Sequence, residues 1–453
     1  MNDETARLCA DDRRYLWHPF TQMRDWCAPG HEPLVLVEGE GALLRDSEGR
    51  SYIDGNASIW TNLHGHRHPK LDAALRAQLD RVAHTSFLGF TNPPAIALAK
   101  ELLALWDYDD FAGPPLARVF YSDNGSTAIE AAVKMAIQCR QHEGTPERNR
   151  FVAFHGAYHG DTMGASSLGG VPLFHGRFSA YHFPVDHVGS LDELLAGVKE
   201  GTIDPARVAA VVIEPLVQGA AGMQFWPTGM LARLREWCDR HDVFLIADEV
   251  MTGFGRTGTF FACEHEKVRP DLVAVAKGIS GGYLPLAATL ASARIYEAFL
   301  GDYSEMKSFF YGHTYSGSQL GCAVALASLE VFREEKVLEG LQPKIAHLAA
   351  ELRLLEGHPN VRAVRQCGMI AAFEVVQESG EAFDWRLQTG HHVCVAARRY
   401  GLLTRPVRDT VLLMPPYCIT PAQITQAVTA LRCGVDEICR GKKDETFCHS
   451  PAS

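Results

Sequence analysis

The sequence has no stretch of about 18 consecutive apolar residues, the length a helix needs to cross a bilayer. It also has no block of lysine and arginine anywhere in its 453 residues. The first absence excludes a membrane-spanning helix. The second, with a net charge of −11, argues against nucleic acid and anionic lipid surfaces as partners. The twelve cysteines are scattered and form no C-x-x-C pair. No zinc site, no other metal site and no disulfide framework is therefore expected, and the cysteines read as reduced thiols of a cytoplasmic protein. The segment MNDETARLCADDRRYLW is polar and acidic and carries no apolar signal core. Internal repeats and low-complexity tracts are missing too.

What is present is ordinary globular composition, 47% hydrophobic and 21% charged. The length suggests two or three domains. The middle of the chain alternates apolar, β-rich runs with amphipathic helices. Strands are predicted at 118–122, 151–154, 208–213, 243–247, 272–276 and 286–291. Helices are predicted at 128–140, 230–240 and 319–334. Apolar strands alternating with helices imply an α/β fold with a mostly parallel central sheet covered on both faces. Ligands then bind beyond the carboxyl ends of its strands. The C-terminal part has shorter strands, at 369–375 and 410–414. Its final helix opens on Thr420-Pro421-Ala422-Gln423, a capping box with proline at the first helical position. The first sixty residues show strands near 34–37 and 42–45 but no helix pattern. They are expected to pack with the C-terminal segment. The expected organisation is a large domain at 61–330 and a small α+β domain made of residues 1–60 and 331–453.

The most informative residue is Lys277. It ends the apolar run Leu272-Val273-Ala274-Val275-Ala276 and precedes Gly278-Ile279-Ser280-Gly281-Gly282. Burying an ammonium is costly unless it is paired or neutral. An earlier strand ends in Asp248-Glu249. A lysine and an acid on strand ends of one sheet suit pyridoxal 5'-phosphate. The lysine forms a Schiff base, and the carboxylate pairs with the protonated ring nitrogen. A structural salt bridge at a sheet rim would look the same in isolation. Three neighbouring motifs favour the cofactor. Ser122-Asp123-Asn124-Gly125-Ser126-Thr127 joins a strand to a helix, with Thr127 and Glu130 at capping-box spacing, and so makes a phosphate cup. Gly156-Ala157-Tyr158-His159-Gly160 places an aromatic between glycines, able to lie flat on a planar ring. Glu214 ends another strand. The loop Thr252 to Gly258 lacks dinucleotide-site spacing. The histidines of His64-Gly65-His66-Arg67-His68-Pro69 have no cysteine or carboxylate near them in sequence, so no metal is expected there.

SDNGST, GAYHGDT, IEPLVQGAAGM, LIADEVMTGFGRTG, AKGISGGYLPLA and GHTYSGSQLGCA occur in that order. The set resembles the class III, fold-type I pyridoxal-phosphate aminotransferases, from about Trp17 to about Ile438. By that resemblance Lys277 carries the cofactor, Asp248 meets the pyridinium, Tyr158 stacks on the ring, and Gly125 and Ser126 hold the phosphate. Gly312, His313 and Thr314 belong to a loop that in this family reaches the neighbouring subunit's site, where the threonine hydroxyl binds phosphate. A homodimer is therefore implied. Trp17-His18-Pro19-Phe20-Thr21-Gln22-Met23 and the region Leu403 to Pro416 resemble one branch of the family. That branch aminates 8-amino-7-oxononanoate to 7,8-diaminononanoate in biotin biosynthesis, with S-adenosylmethionine or lysine as donor. In it Trp60 matches a substrate-pocket tryptophan and Arg405 the arginine that anchors the acceptor carboxylate, a task suited to a guanidinium fork. Phe20, Ile59 and Leu412 depart from tyrosine, a second tryptophan and tyrosine at the matching positions. The rival within the family is an ω-aminotransferase for a diamine, a β-amino acid or 4-aminobutyrate.

Overall fold

The computed structural model describes residues 1–440; residues 441–453 of the expected 331–453 segment lie outside them. A seven-stranded sheet occupies the middle. Its order is Leu116–Ser122, Ala287–Ser292, Leu272–Val275, Phe244–Asp248, Val208–Ile213, Arg150–Phe154, Val185–Val188. The Phe244–Asp248 strand runs parallel to both neighbours, as does the Arg150–Phe154 strand. Only Ala287–Ser292 runs against the rest, antiparallel to the strands on either side of it. The α/β fold with a mostly parallel sheet is thus present. Four central strands are buried along their whole length, which accounts for their largely apolar sequence. The edge strand Val185–Val188 has the sequence Val-Asp-His-Val. It lacks an apolar run, so no strand is predicted there.

The helix Gly125–His142 covers one face through small and apolar residues, Ala128, Ile129, Ala132, Val133 and Ala136. It begins three residues before its predicted start, which moves its cap. Asn124 Oδ1 accepts from Thr127 N at 3.1 Å, and Thr127 Oγ1 accepts from Asn124 N at 3.1 Å. Glu130 is therefore not the capping partner. Its carboxylate instead takes the N–H groups of Gly164 and Ala165 at 2.8 and 3.2 Å. The predicted cap of the last helix, Pro421–Arg440, does form, with Thr420 and Gln423 bonded reciprocally.

The two chain ends meet in a smaller sheet. Strands Leu36–Glu40, Leu43–Asp46 and Ser51–Asp54 are joined by Leu402–Leu403, which lies parallel to Ser51–Asp54. A four-stranded antiparallel sheet carries Val361–Cys367, Ile370–Val375, Thr410–Leu413 and Pro406–Val407. Contrary to the expectation for the first sixty residues, Asp3–Tyr15 is a helix. It lacks apolar periodicity and buries only Thr5 and Cys9. Its ends hold it instead. Asn2 caps Thr5 N, Asp3 and Glu4 sit in the first turn, and Arg13 and Arg14 sit in the last.

Arg256, fully buried, ties the first and last parts of the chain to the middle. It donates to the carbonyls of Pro415 at 2.8 Å and Asn62 at 3.0 Å. Among the described residues no carboxylate pairs with it, and its charge is met by carbonyl dipoles and by the Tyr417 ring, 4.9 Å away. Arg256→Met keeps the stem but strands both carbonyls. The expected cost is at least about 2–3 kcal/mol, from hydrogen bonds to a charged donor. A lowered denaturation midpoint in urea measures it, and a midpoint equal to the parent's would contradict the role.

Candidate active site

The carboxyl ends of the strands open into a cavity of about 460 Å³. Each strand end delivers one group to its wall: Asp248, Glu214 after Ile213, Lys277 after Ala276, and Tyr158 and His159 on the loop after Phe154. Trp60, Gly125 and Ser126 also line it. Of the residues singled out in sequence, Lys277, Asp248, Tyr158, Gly125, Ser126, Glu214 and Trp60 are brought together. Lys277 has φ +44°, in the left-handed region that favours glycine. A lysine held there directs its amine into the cavity wall at the expense of backbone comfort.

The charges at the rim are interlocked. Asp248 is buried; its Oδ2 meets His159 Nδ1 at 2.7 Å, and its Oδ1 accepts from Val250 N at 3.1 Å. Burial disfavours a charged His159, but the Asp248 hydrogen bond outweighs it and the imidazole is shifted upward. Glu214 accepts from Tyr158 N at 3.0 Å and from Gly219 N at 2.9 Å. Burial lifts its carboxyl to about 7, with His159 pulling the other way. Enclosure lowers the Lys277 amine to about 8, against the pull of Asp248 and Glu214. The Lys277 amine lies 4.5 Å from the centre of the Trp60 ring. Tyr158 donates to Asp161 Oδ2 at 2.6 Å and lies nearly parallel to His175, 17° between planes. Its ring is therefore fixed from behind.

The residues fit a phosphorylated, planar cofactor. The N–H groups of Gly125 and Ser126, at the start of an 18-residue helix, have no acceptor among the described residues. Such free donors with the helix dipole behind them suit a dianion. A Cβ at Gly125 would come within 2.7 Å of Val250, and one at Gly160 within 2.0 Å of Ser126 Oγ. The cup is thus too tight for a side chain at either glycine. Thr127 spends its hydroxyl on the cap, donating to Asn124 O at 2.8 Å.

Other expected residues lie elsewhere. Gly312 and Thr314 are exposed and line no part of this cavity. Their neighbour His313 reaches Asp123 at 3.3 Å, so the loop ends beside the cavity mouth. Arg405 is exposed on the short link between Leu402–Leu403 and Pro406–Val407, outside the cavity lining. Leu412 is core, in a cluster with Met251, Val217 and Ile370 against which Trp60 packs. Phe20 meets Phe174, 5.4 Å between centroids, and Phe174 in turn meets Tyr158. The three histidines each have another partner: His64 with Ser328 at 2.9 Å, His66 with Asp54 at 3.0 Å, His68 with Glu335 at 3.4 Å. Two working residues carried no assignment from sequence. His159 stood inside a quoted motif beside the more conspicuous tyrosine. Asn56 carried no signal at all.

The Aminotransferase class-III family model matches residues 26–433. An adenosylmethionine-8-amino-7-oxononanoate aminotransferase from Geobacter sulfurreducens is 48% identical, covering 97% of this chain and 99% of its own. The enzyme of that name from Nitratidesulfovibrio vulgaris is 46% identical, with 94% and 81% covered. The crystal structure of the Methanocaldococcus jannaschii adenosylmethionine-8-amino-7-oxononanoate aminotransferase superposes with a TM-score of 0.90 at 38% identity, covering 96% and 99%. An (S)-enantioselective omega-transaminase from Thermomicrobium roseum gives 0.88 at 33% identity, covering 96% and 98%.

The lowered Lys277 amine has a direct signature in the ligand-free chain. Only the neutral amine attacks an acylating reagent. Its modification rate should climb about tenfold per pH unit below its pKa and flatten above pH about 8. Exposed lysines should still be climbing there. Peptide mapping of the labelled protein resolves the two. A Lys277 midpoint near 10.5, the ordinary value, would contradict the electrostatic account.

Proposed function

The chain belongs to the class III aminotransferase family, and from that premise we propose that it transfers an amino group to the keto carbon of 8-amino-7-oxononanoate. The product is 7,8-diaminononanoate, of biotin biosynthesis. The observation that carries the chemistry is Lys277 and Asp248 on neighbouring strand ends at the wall of one cavity. The substrate rests on the relatives of 46–48% identity. The same relatives favour S-adenosylmethionine as donor, with lysine as the alternative.

Pyridoxal 5'-phosphate, when bound, supplies an aldehyde for the amino group and a conjugated ring that draws electron density from the substrate carbon. Gly125 and Ser126 would hold its phosphate through their free N–H groups. Asp248 would face the ring nitrogen, kept in place by His159 and Val250 N. Tyr158 would cover one ring face. Lys277 Nζ would hold the cofactor and, when its amine is free, would carry a proton between the substrate carbon and the cofactor carbon, in one direction for the donor and in the other for the acceptor. An amine lowered to about 8 is partly neutral at physiological pH, as a base must be. Trp60 walls the donor side with an apolar face suited to a cation. Arg405 would meet the acceptor carboxylate.

The same reading makes the active unit a homodimer, in which Thr314 completes a second copy's phosphate site. Phe310 and Tyr315, which flank that loop, are exposed in the single chain, and aromatic rings there suit an interface. It also places the cofactor domain at 61–330 and a small domain in both chain ends, in a cytoplasmic enzyme. Among the described residues, no helix is long and apolar enough to cross a membrane.

The donor is tested on the cofactor-loaded enzyme without acceptor. S-adenosylmethionine should bleach the cofactor's long-wavelength absorbance in a single turnover, and lysine should not. The reverse pattern would change the donor and leave the acceptor assignment standing. Arg405→Ala tests the acceptor. Loss of a charge-assisted pair costs about 2–5 kcal/mol. The acceptor KM should therefore rise roughly thirtyfold or more, with the donor half-reaction unaffected. An unchanged acceptor KM would remove Arg405 from the site.

A further inference from the structure

Ahead of the cavity the chain makes an unusual turn. Ala57, Ser58, Ile59 and Trp60 all have positive φ, at 42°, 49°, 65° and 69°. None is glycine, and a β-branched residue at positive φ is a genuine outlier. Such a conformation persists only where its surroundings over-determine it. Here they do. The turn closes on itself through Trp60 N to Asn56 O at 2.8 Å and Thr61 N to Ala57 O at 2.9 Å. Asp54, only 2% exposed, receives Ser58 N at 3.0 Å and Ser58 Oγ at 2.9 Å, and holds His66 at 3.0 Å. Asn56, 5% exposed, receives the indole N–H of Trp60 on Oδ1 at 2.8 Å.

The outcome of this bracing is the pose of a single side chain. The Trp60 ring stands with its face 4.5 Å from Lys277 Nζ. Its far edge is confined by Gly219, where a Cβ would come within 3.5 Å of Trp60 and 2.6 Å of Met251. Its flank packs on the cluster of Met251 and Leu412. A right-handed turn would send the side chain elsewhere, because changing the sign of φ rotates Cα–Cβ about the N–Cα bond relative to the preceding chain.

We propose that Asn56, braced with Asp54, is a positioning residue that holds the Trp60 indole over Lys277 and so sets the proton affinity of that amine. The face of an indole favours a nearby cation. A correctly posed Trp60 therefore keeps Lys277 more readily protonated than its enclosure alone would. The inference concerns the ligand-free chain and does not depend on which donor or acceptor the enzyme uses.

The test is a double-mutant cycle on the ligand-free protein, read by the pH midpoint of Lys277 labelling. Trp60→Leu should lower the midpoint by about half a pH unit. Asn56→Ala should lower it by a comparable amount by freeing the ring. The double variant should match Trp60→Leu alone, since Asn56 acts only through the indole. Asn56→Ala should also shift the tryptophan emission component that Trp60→Leu deletes. Asn56→Asp, which keeps the acceptor oxygen, should leave that component in place. If Asn56→Ala does not fold, Trp60→Phe serves in its place, since it keeps a ring but removes the N–H that Asn56 holds. Its midpoint should then fall towards that of Trp60→Leu. A wild-type midpoint in Asn56→Ala or, failing that, in Trp60→Phe overturns the proposal. So does a full additional shift in the double variant.

Discussion

An amine, two carboxylates and an imidazole share one enclosed rim, and each is tolerable there only because of the others. Lys277 loses solvation but feels Asp248 and Glu214. His159 is disfavoured as a cation by burial, but its hydrogen bond to Asp248 shifts the imidazole upward. Glu214, lifted by burial, is pulled back by His159. Removing one member would leave its neighbours as uncompensated charges in a medium of low polarity, which is costly. The rim is thus set as a group. Its elements must all end at the same edge of the sheet, and the nearly uniform direction of the strands provides that.

The scaffold follows from this requirement. The buried central strands need cover on both faces, and apart from Thr289, whose hydroxyl is spent on Ala128 O, their side chains contribute nothing polar until the last residue of each. Function is confined to the step from strand to loop: Ile213 to Glu214, Ala247 to Asp248, Ala276 to Lys277. The helix Gly125–His142 adds a different kind of group, backbone N–H donors left free by geometry. Its Asn124–Thr127 cap satisfies one donor and leaves the Gly125 and Ser126 donors unmet. The cap that stabilises the helix also defines where an anion can sit.

Most of this was legible in sequence because it rests on residue type at strand ends. The apolar runs located the central strands to within a residue or two. The motifs around Asp248 and Lys277 carried the chemistry. What escaped detection depends on backbone shape or on distant partners. The helix Asp3–Tyr15 is held by caps and end charges, which a search for apolar periodicity does not register. The cap of the main helix was misassigned because Gly125 and Ser126, poor indicators of helix, form its first turn. The left-handed turn at Ala57–Trp60 contains no glycine to announce it, and Asn56 meets the Trp60 indole, four residues on, only because of that turn. Thr314 stands apart from the cavity of a single chain, as a residue expected to serve a neighbouring subunit would, whereas nothing in the sequence setting of Arg405 hinted at its distance.

The parallel pairing of Ser51–Asp54 with Leu402–Leu403 has a consequence for how the protein comes into being. On the ribosome the first of these strands emerges about 350 residues before its partner. At ordinary elongation rates that is roughly twenty to seventy seconds. During that interval one edge of the Ser51–Asp54 strand lacks its partner, while the central sheet can already assemble. The turn that carries Trp60 follows that strand directly. That turn therefore gains its neighbouring strand only when synthesis is nearly complete, and until then the nascent chain carries an unpaired strand edge at residues 51–54.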